Sequence, residues 1–205
     1  MMKLLPVLAV TSTTATLAIH KRASVTAALS QLILVGTKSE VIIAVDQELV
    51  DQVEEIVKTE RVRILICEPS RPHSLARALA PSFGAFDAVM IHDASRPMTP
   101  QSLFSGIIST LGNEVDAVRP ALPFTETLKI VGRDSVIVET IDRSSVLRIG
   151  TPELIRVSAI DIEEQDCGWF IPLKKGARIQ HIEGSPDGAR INTAADRDLM
   201  ELQQN

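Results

Sequence analysis

Ala88-Val89-Met90-Ile91-His92-Asp93-Ala94-Ser95-Arg96-Pro97 is an apolar run that breaks off into charge and a proline. Residues 88–92 read as a strand covered on both faces, because such strands carry near-continuous apolar runs rather than alternation. The runs at 5–10, 41–45, 62–67 and 117–121 have the same character. Between them, residues 24–34, 47–59, 74–79 and 100–111 carry apolar side chains at helical spacing. This alternation predicts βαβ units and an α/β fold with a doubly wound, mostly parallel sheet. Thr99-Pro100 predicts a helix start, with the hydroxyl as N-cap and the proline in the first turn.

The rhythm changes after residue 121. Residues 127–131 and 136–140 are short β-rich runs joined by Gly132-Arg133-Asp134-Ser135, which predicts a hairpin protruding from the sheet. A strand over 178–182, a turn at Gly184-Ser185-Pro186-Asp187-Gly188 and a last helix capped by Thr193 and Asp196 complete the reading. No repeat, low-complexity tract or linker divides the chain. Residues 1–205 are therefore expected to form a single domain, with an arm over about 124–146.

Composition narrows the function. The chain of 205 residues is long enough for one self-sufficient core, and its 45% hydrophobic and 23% charged content is that of a globular protein. No apolar stretch approaches the ~20 residues needed to span a bilayer. A net charge of -5 argues against nucleic acid or a membrane surface as partner, since both attract basic patches. Cys67 and Cys167 are too far apart for a metal knuckle and too few for a disulfide framework, so reduced thiols and a cytoplasmic location are expected. The N-terminal run, which holds Pro6 and no clean cleavage site, reads as a buried strand rather than a signal peptide.

In an open parallel sheet, ligands bind beyond the carboxyl ends of the strands. Asp93 and Arg96 should sit at that edge, the carboxylate suited to Mg2+ or substrate hydroxyls and the guanidinium to a phosphate. The other constellations are weak. No Gly-x-Ser-x-Gly elbow is present, and no histidine pair has metal-ligand spacing. His20 and His73 read as solvated, His92 as strand-end packing, His181 as an edge residue and Trp169-Phe170 as a core plug.

The run from Ile91 to Pro97, followed in order by Glu126-Thr127-Leu128-Lys129, Thr140-Ile141-Asp142-Arg143 and Thr151-Pro152, resembles the 2-C-methyl-D-erythritol 4-phosphate cytidylyltransferase family. That family has His-Asp-Ala-Ala-Arg-Pro at its fourth strand, Asp-Thr-Ile-Lys on an extended arm, and an Asp-Arg pair ahead of a Thr-Pro. The resemblance implies a Rossmann-like nucleotidyltransferase fold and transfer of CMP from CTP to methylerythritol phosphate in isoprenoid precursor synthesis. It implies Asp93 and Arg96 as catalytic residues, with Asp93 also the ligand of Mg2+. Thr127, Lys129, Arg143 and Arg190 would hold the sugar-alcohol phosphate, Arg143 across to a neighbouring subunit. Arg71 and Ser74, in Arg71-Pro72-His73-Ser74-Leu75, would lie on the loop over the cytosine. The family also implies a homodimer through the hairpin arm.

One family feature is missing. The first strand of the family runs into Pro-Ala-Ala-Gly-x-Gly-x-Arg, with a Pro-Lys pair beyond it. Those glycines let backbone N–H groups approach the triphosphate, and the cations neutralise charge at the reacting phosphorus. Here the strand is followed by Thr11-Ser12-Thr13-Thr14-Ala15-Thr16, and the first glycine is Gly36. Roughly a dozen residues are deleted rather than substituted. β-Branched threonines resist the positive φ that an anion nest requires. Lys21 and Arg22 are the nearest substitute cations, and both also read as solvated residues before a helix. On the cytosine loop the family's paired glycines fall on Cys67 and Glu68, and its Thr-Asp-Asp-Ala-Ser run is reduced to Glu164-Gln165-Asp166-Cys167-Gly168. Two expectations follow. One is a catalytically impaired relative that keeps the sugar-phosphate half of the site and pairs with itself or with an intact paralogue. The other is an active cytidylyltransferase with a rebuilt phosphate site, working on methylerythritol phosphate or another sugar-alcohol phosphate.

Overall fold

Five apolar runs form strands of one sheet that all point the same way. In the computed structural model, which describes residues 2–35, 39–58, 60–163 and 171–202, they are β1 (Leu4–Val10), β4 (Val41–Val45), β5 (Val62–Ile66), β6 (Ala88–Asp93) and β7 (Ala117–Pro123). A small hairpin, β2 (Ala18–Ile19) and β3 (Arg22–Ala23), precedes the first helix. The arm is β8 (Leu128–Val131) and β9 (Ile137–Ile141); β10 (Leu147–Ile149), β11 (Glu153–Arg156) and β12 (Ile179–Glu183) return to the main sheet. The helices are α1 (Ser24–Leu34), α2 (Val50–Val57), α3 (Pro72–Leu79), α4 (Gln101–Thr110) and α5 (Ala194–Leu202).

The main sheet has eight strands in the order β10-β7-β11-β6-β1-β4-β5, with β12 on β7. β1 pairs in parallel with both β4 and β6, and β4 with β5. Each face of the sheet carries its own core, as expected of a doubly wound fold. α1, α2 and α4 pack through Val25, Leu29, Val53 and Phe104 against Leu8, Ile43 and Met90. α3 packs through Leu75 and Leu79 against Val7, Ile42 and Ile91. Every β1 residue is buried, as expected of a strand covered on both faces. Among the described residues, no helix is long and apolar enough to cross a membrane.

Several details depart from the sequence reading. β10 and β11, both antiparallel to β7, were not anticipated. The run at 153–156 opens with a glutamate, which hides its strand character, yet Glu153 is buried and ion-paired to Arg119 of β7. Burial pushes the Glu153 carboxyl up, and the guanidinium opposes that shift. Thr99 is not the cap of α4, because its hydroxyl donates to the Arg96 carbonyl at 3.1 Å and α4 begins at Gln101 without a side-chain cap. The expected strand at 178–182 lies one residue further on, in β12. The expected helix at 47–59 starts as a 3-10 turn, Gln47–Leu49, and α3 starts at Pro72. Thr193 and Asp196 do form a capping box: the Thr193 hydroxyl accepts from Asp196 N–H at 3.2 Å and Asp196 Oδ2 accepts from Thr193 N–H at 2.8 Å. Cys167, the run from Glu164 to Gly168, and Trp169-Phe170 lie outside the described residues.

The hairpin projects as expected. β8 and β9 pair only with each other, with a bulge between Ile130 and Val131. Asp134 and Ser135 at its tip adopt left-handed φ values of 57° and 60°, a conformation that Asp tolerates better than most residues.

Candidate functional site

The chain runs from β1 outward through β4 and β5, then returns to the other side of β1 as β6, so the strand order reverses between β1 and β6. Crevices at such reversals are where open sheets bind ligands. Thr11 follows β1, Asp93 closes β6 and Arg190 follows β12, and these strands run in one direction. Side chains far apart in sequence thus converge at one edge.

Asp93 is 3% exposed. Its Oδ1 accepts the Ser95 N–H at 2.9 Å, and its Oδ2 accepts Arg190 Nε–H at 2.8 Å. Arg96 Nε is 3.8 Å from the same Oδ2, while Arg96 Nη1 donates to the Gly188 carbonyl at 2.6 Å. Arg190 reaches further, with Nη2 donating to Thr11 Oγ1 at 3.0 Å and Nη1 donating to Asn192 Oδ1. Burial pulls the Arg96 pKa below its ordinary value, Asp93 opposes that shift, and Arg190 and Arg148 add to it.

A relay of hydrogen bonds fixes the backbone beneath this cluster. Asp93 N–H donates to Thr151 Oγ1 at 3.1 Å, whose hydroxyl lies 3.0 Å from His92 Nδ1. His92 Nε2 is 3.1 Å from the Arg96 carbonyl, which can only accept. The ring therefore carries its proton on Nε2 and accepts from Thr151 on Nδ1. Burial drives its pKa down to about 4, against the pull of Asp93 and the Arg96 carbonyl. His92 is neutral packing, edge-on to Phe104 with ring centroids 5.1 Å apart.

The segment after β1 forms a 3-10 turn, Thr13–Thr16, whose hydroxyls are largely spent on the protein itself. Ser12 Oγ and Thr14 Oγ1 are 2.6 Å apart, each is 3.3 Å from Ser95 Oγ, and Thr14 donates to the Ile191 carbonyl at 2.8 Å. No residue from 11 to 16 has positive φ; the left-handed pair here is His20 and Lys21, at the tip of the β2–β3 hairpin. Successive N–H groups therefore do not converge into an anion nest, which needs αR and αL residues in alternation. Lys21 is exposed and Arg22 donates to Ser30 of α1, so neither cation lines the cleft.

Beside Asp93 opens a cleft of about 380 Å³, lined by Arg96, Arg148, Arg190, Ser185 and Asn192 over Leu103 and Pro120. Its wall depends on Gly184, where a Cβ would stand 3.0 Å from Leu122 Cγ and 3.2 Å from the Ala121 carbonyl oxygen. A side chain there would crowd the approach of the 184–188 turn to β7. Arg148 was not singled out by sequence reasoning. The available signal was its place in the short segment between Arg143 and Thr151-Pro152.

Of the residues named from sequence, the structure brings together Asp93, Arg96 and Arg190. Arg71 and Ser74 lie elsewhere: Arg71 Nε pairs with Glu68 at 2.9 Å, and Ser74 Oγ accepts the Glu68 N–H at 3.2 Å. Neither lines the cleft. Thr127, Lys129 and Arg143 are exposed on the arm, where Lys129 donates to Thr140 at 2.6 Å and Arg143 to the Thr125 carbonyl. Cys67 is no nucleophile: burial, with Asp46 and Glu68 adding, raises its thiol to about 11.

Comparison with known proteins bears on the family and the fold. The sequence profile of 2-C-methyl-D-erythritol 4-phosphate cytidylyltransferase matches residues 10–201. The enzyme of that name from Rhodococcus jostii is 32% identical over 179 residues, covering 83% of this chain and 77% of its own length. The one from Nocardia farcinica is 30% identical over 183 residues, covering 85% of this chain and 78% of its own. Among solved structures, 4-diphosphocytidyl-2C-methyl-D-erythritol synthase from Anaerococcus prevotii superposes with a TM-score of 0.80 at 18% identity, over 98% of this chain and 97% of its own. The cytidylyltransferase from Thermus thermophilus gives 0.76 at 18% identity over 98% of both chains. Ordered motifs, sheet topology and sequence similarity over most of its length agree that the chain belongs to the 2-C-methyl-D-erythritol 4-phosphate cytidylyltransferase family.

Proposed function

We propose that this protein is a catalytically impaired member of the family that keeps the sugar-phosphate half of the site and has lost the half that activates CTP. The observation that carries the reading is the segment after β1. Where the family places a glycine-rich loop, the chain has a hydroxyl-rich 3-10 turn bonded to itself, to Ser95 and to Ile191. CMP transfer rests on positioning and on electrostatic stabilisation of charge at the α-phosphorus. Loss of one preorganised stabiliser slows such reactions by about 100- to 1000-fold, and here a whole set of N–H donors and its cations are gone together. The ion pair of Arg71 with Glu68 points the same way, because it ties up the arginine expected near the base and places a carboxylate beside it.

Arg96, Arg148 and Arg190 in the cleft favour an anionic ligand of small size. The resemblance supplies its class, a sugar-alcohol phosphate such as methylerythritol phosphate. Lys129 and Arg143 hydrogen-bond within the arm and Thr127 is exposed on it, which suits residues that complete the site of a second subunit in a homodimer or of an intact paralogue. A cytoplasmic location belongs to the same reading. Enzymes of this family generally depend on a metal ion; in this chain, Asp93 presents both carboxylate oxygens to N–H donors, and no group of three or more metal-binding side chains occurs among the described residues. An Mg2+ ion at Asp93 Oδ2 would compete with the Arg190 guanidinium that now occupies it.

Calorimetric titration of the apoprotein with methylerythritol phosphate and, separately, with CTP and Mg2+ tests the proposal. Binding of the sugar phosphate without binding of CTP supports it. Tight binding of CTP contradicts it.

A further inference from the structure

We infer that the cleft is a divalent-cation-independent anion site, in which the Arg190 guanidinium holds the position at Asp93 that a metal ion would take and Arg148 supplies a third arm of a phosphate cradle. This rests on the reading above, that the cleft takes a phosphorylated ligand, and adds how it does so.

Three observations lead here. Arg190 Nε stands 2.8 Å and Arg96 Nε 3.8 Å from Asp93 Oδ2, and Ser95 N–H stands 2.9 Å from Oδ1, so a cation at Oδ2 would have to displace Arg190 or stand against two guanidiniums. Arg96 is anchored through Nη1 on Gly188, while its buried Nε makes no hydrogen bond. Its Nε lies toward Asp93 Oδ2 at 3.8 Å, so Arg96 adds positive charge to the cleft wall. Arg148 lines the same cleft, is exposed, and takes part in none of the ion pairs among the described residues. Asp196, also on the lining, is used by the Asn192 and Thr193 backbone N–H groups at 2.9 and 2.8 Å. Three guanidiniums thus face two carboxylates, Asp93 and Asp196, that are already occupied. The excess positive charge, and the Arg148 guanidinium that takes part in no ion pair, suit a phosphate monoester, whose three terminal oxygens accept bidentate pairs.

A metal ion held between substrate phosphates and Asp93 would neutralise charge in the usual nucleotidyl-transfer manner. A guanidinium fixed at that place neutralises charge too, but Nε, Nη1 and Nη2 of Arg190 already donate to Asp93, Asn192 and Thr11, which leaves it one N–H on each Nη for a ligand. Such a site suits a ligand with one phosphate better than a triphosphate. This gives a physical reason for the sugar-phosphate half to persist while the nucleotide half is lost.

Two measurements decide. Inorganic phosphate is titrated into the full chain with EDTA present and again with excess Mg2+, for the wild type and for Arg148→Ala. The inference predicts equal affinity in both buffers, and weakening by at least about tenfold in the variant, the effect of one charge-assisted hydrogen bond. Arg148 is exposed, so its removal should leave the fold intact. Binding that needs Mg2+, or an affinity unchanged in Arg148→Ala, overturns it. In parallel, Mn2+ binding is followed by electron paramagnetic resonance in the wild type and in Arg190→Ala. Mn2+ should bind only once Arg190 is gone, and equally tight binding by the wild type overturns the inference. If methylerythritol phosphate binds but only with Mg2+, the inference fails while the functional reading stands; if neither methylerythritol phosphate nor inorganic phosphate binds, both fail.

Discussion

Arg190 Nε donates to Asp93 Oδ2 at 2.8 Å across 97 residues of sequence, joining the end of β6 to the segment after β12. The same guanidinium reaches Thr11 after β1 at 3.0 Å. One side chain therefore ties together three strand ends at the edge where ligands of this fold class bind. A lysine, which the family carries at this position, is a point charge on a flexible stem and lacks the planar fork needed to bond Asp93, Thr11 and Asn192 together.

Asp93→Asn should lower stability, because it leaves Arg190 and Arg96 without their carboxylate. Breaking a buried ion pair costs about 3 kcal/mol or more, but the Arg190 side chain is 28% exposed and solvent offsets part of that. A decrease of about 1 to 3 kcal/mol in urea unfolding is expected. An unchanged midpoint would show that the pair is only superficial.

His92 sets an acid limit on the fold. Its folded pKa is about 4 and its ordinary value 6.5, so the unfolded chain binds the proton more readily. Stability is then fully present above about pH 6.5 and falls as pH drops toward 4, by up to ~3 kcal/mol from this group. A His92→Gln variant, which keeps polar atoms but does not titrate, should flatten that part of the stability profile. An identical slope in the variant would contradict the assignment.

The arm should mediate dimerisation. Val136, Ile137 and Val138 are 56%, 61% and 61% exposed in the single chain. A lone two-stranded hairpin with this much bare apolar surface is only marginally stable in water and calls for cover. Light scattering should give a dimer for the wild type and a monomer for Val138→Asp, with little change in melting temperature of the main domain.

If arm residues complete a neighbour's site, complementation should follow. Arg143→Ala and Arg190→Ala should each weaken methylerythritol phosphate binding by about tenfold or more, the effect of one lost charged hydrogen bond. Mixing the two variants should restore one intact site per heterodimer. No recovery on mixing would place both residues in the site of their own chain.

The parallel sheet was legible because strands covered on both faces have no choice but to be apolar, as residues 5–10 and 41–45 are. β11 was not, because Glu153 looks like a surface residue until Arg119 is placed beside it by the pairing of β11 with β7. Asp93, Arg96 and Arg190 could be named from motifs, but their mutual contact depends on which strand ends meet. Arg148 escaped notice because an arginine in a short exposed strand has no local signature; only the turn after β12, held close to β7 by Gly184, makes it part of a cleft. Thr99 shows the limit of local rules: its hydroxyl donates back to the Arg96 carbonyl and accepts no N–H from the helix it precedes.

The most direct test of the central claim is pyrophosphate release from CTP, Mg2+ and methylerythritol phosphate at high protein concentration, with Asp93→Asn as control. The lost phosphate loop predicts no release above that control. Release that Asp93→Asn abolishes would contradict the account and establish an active cytidylyltransferase with a rebuilt phosphate site.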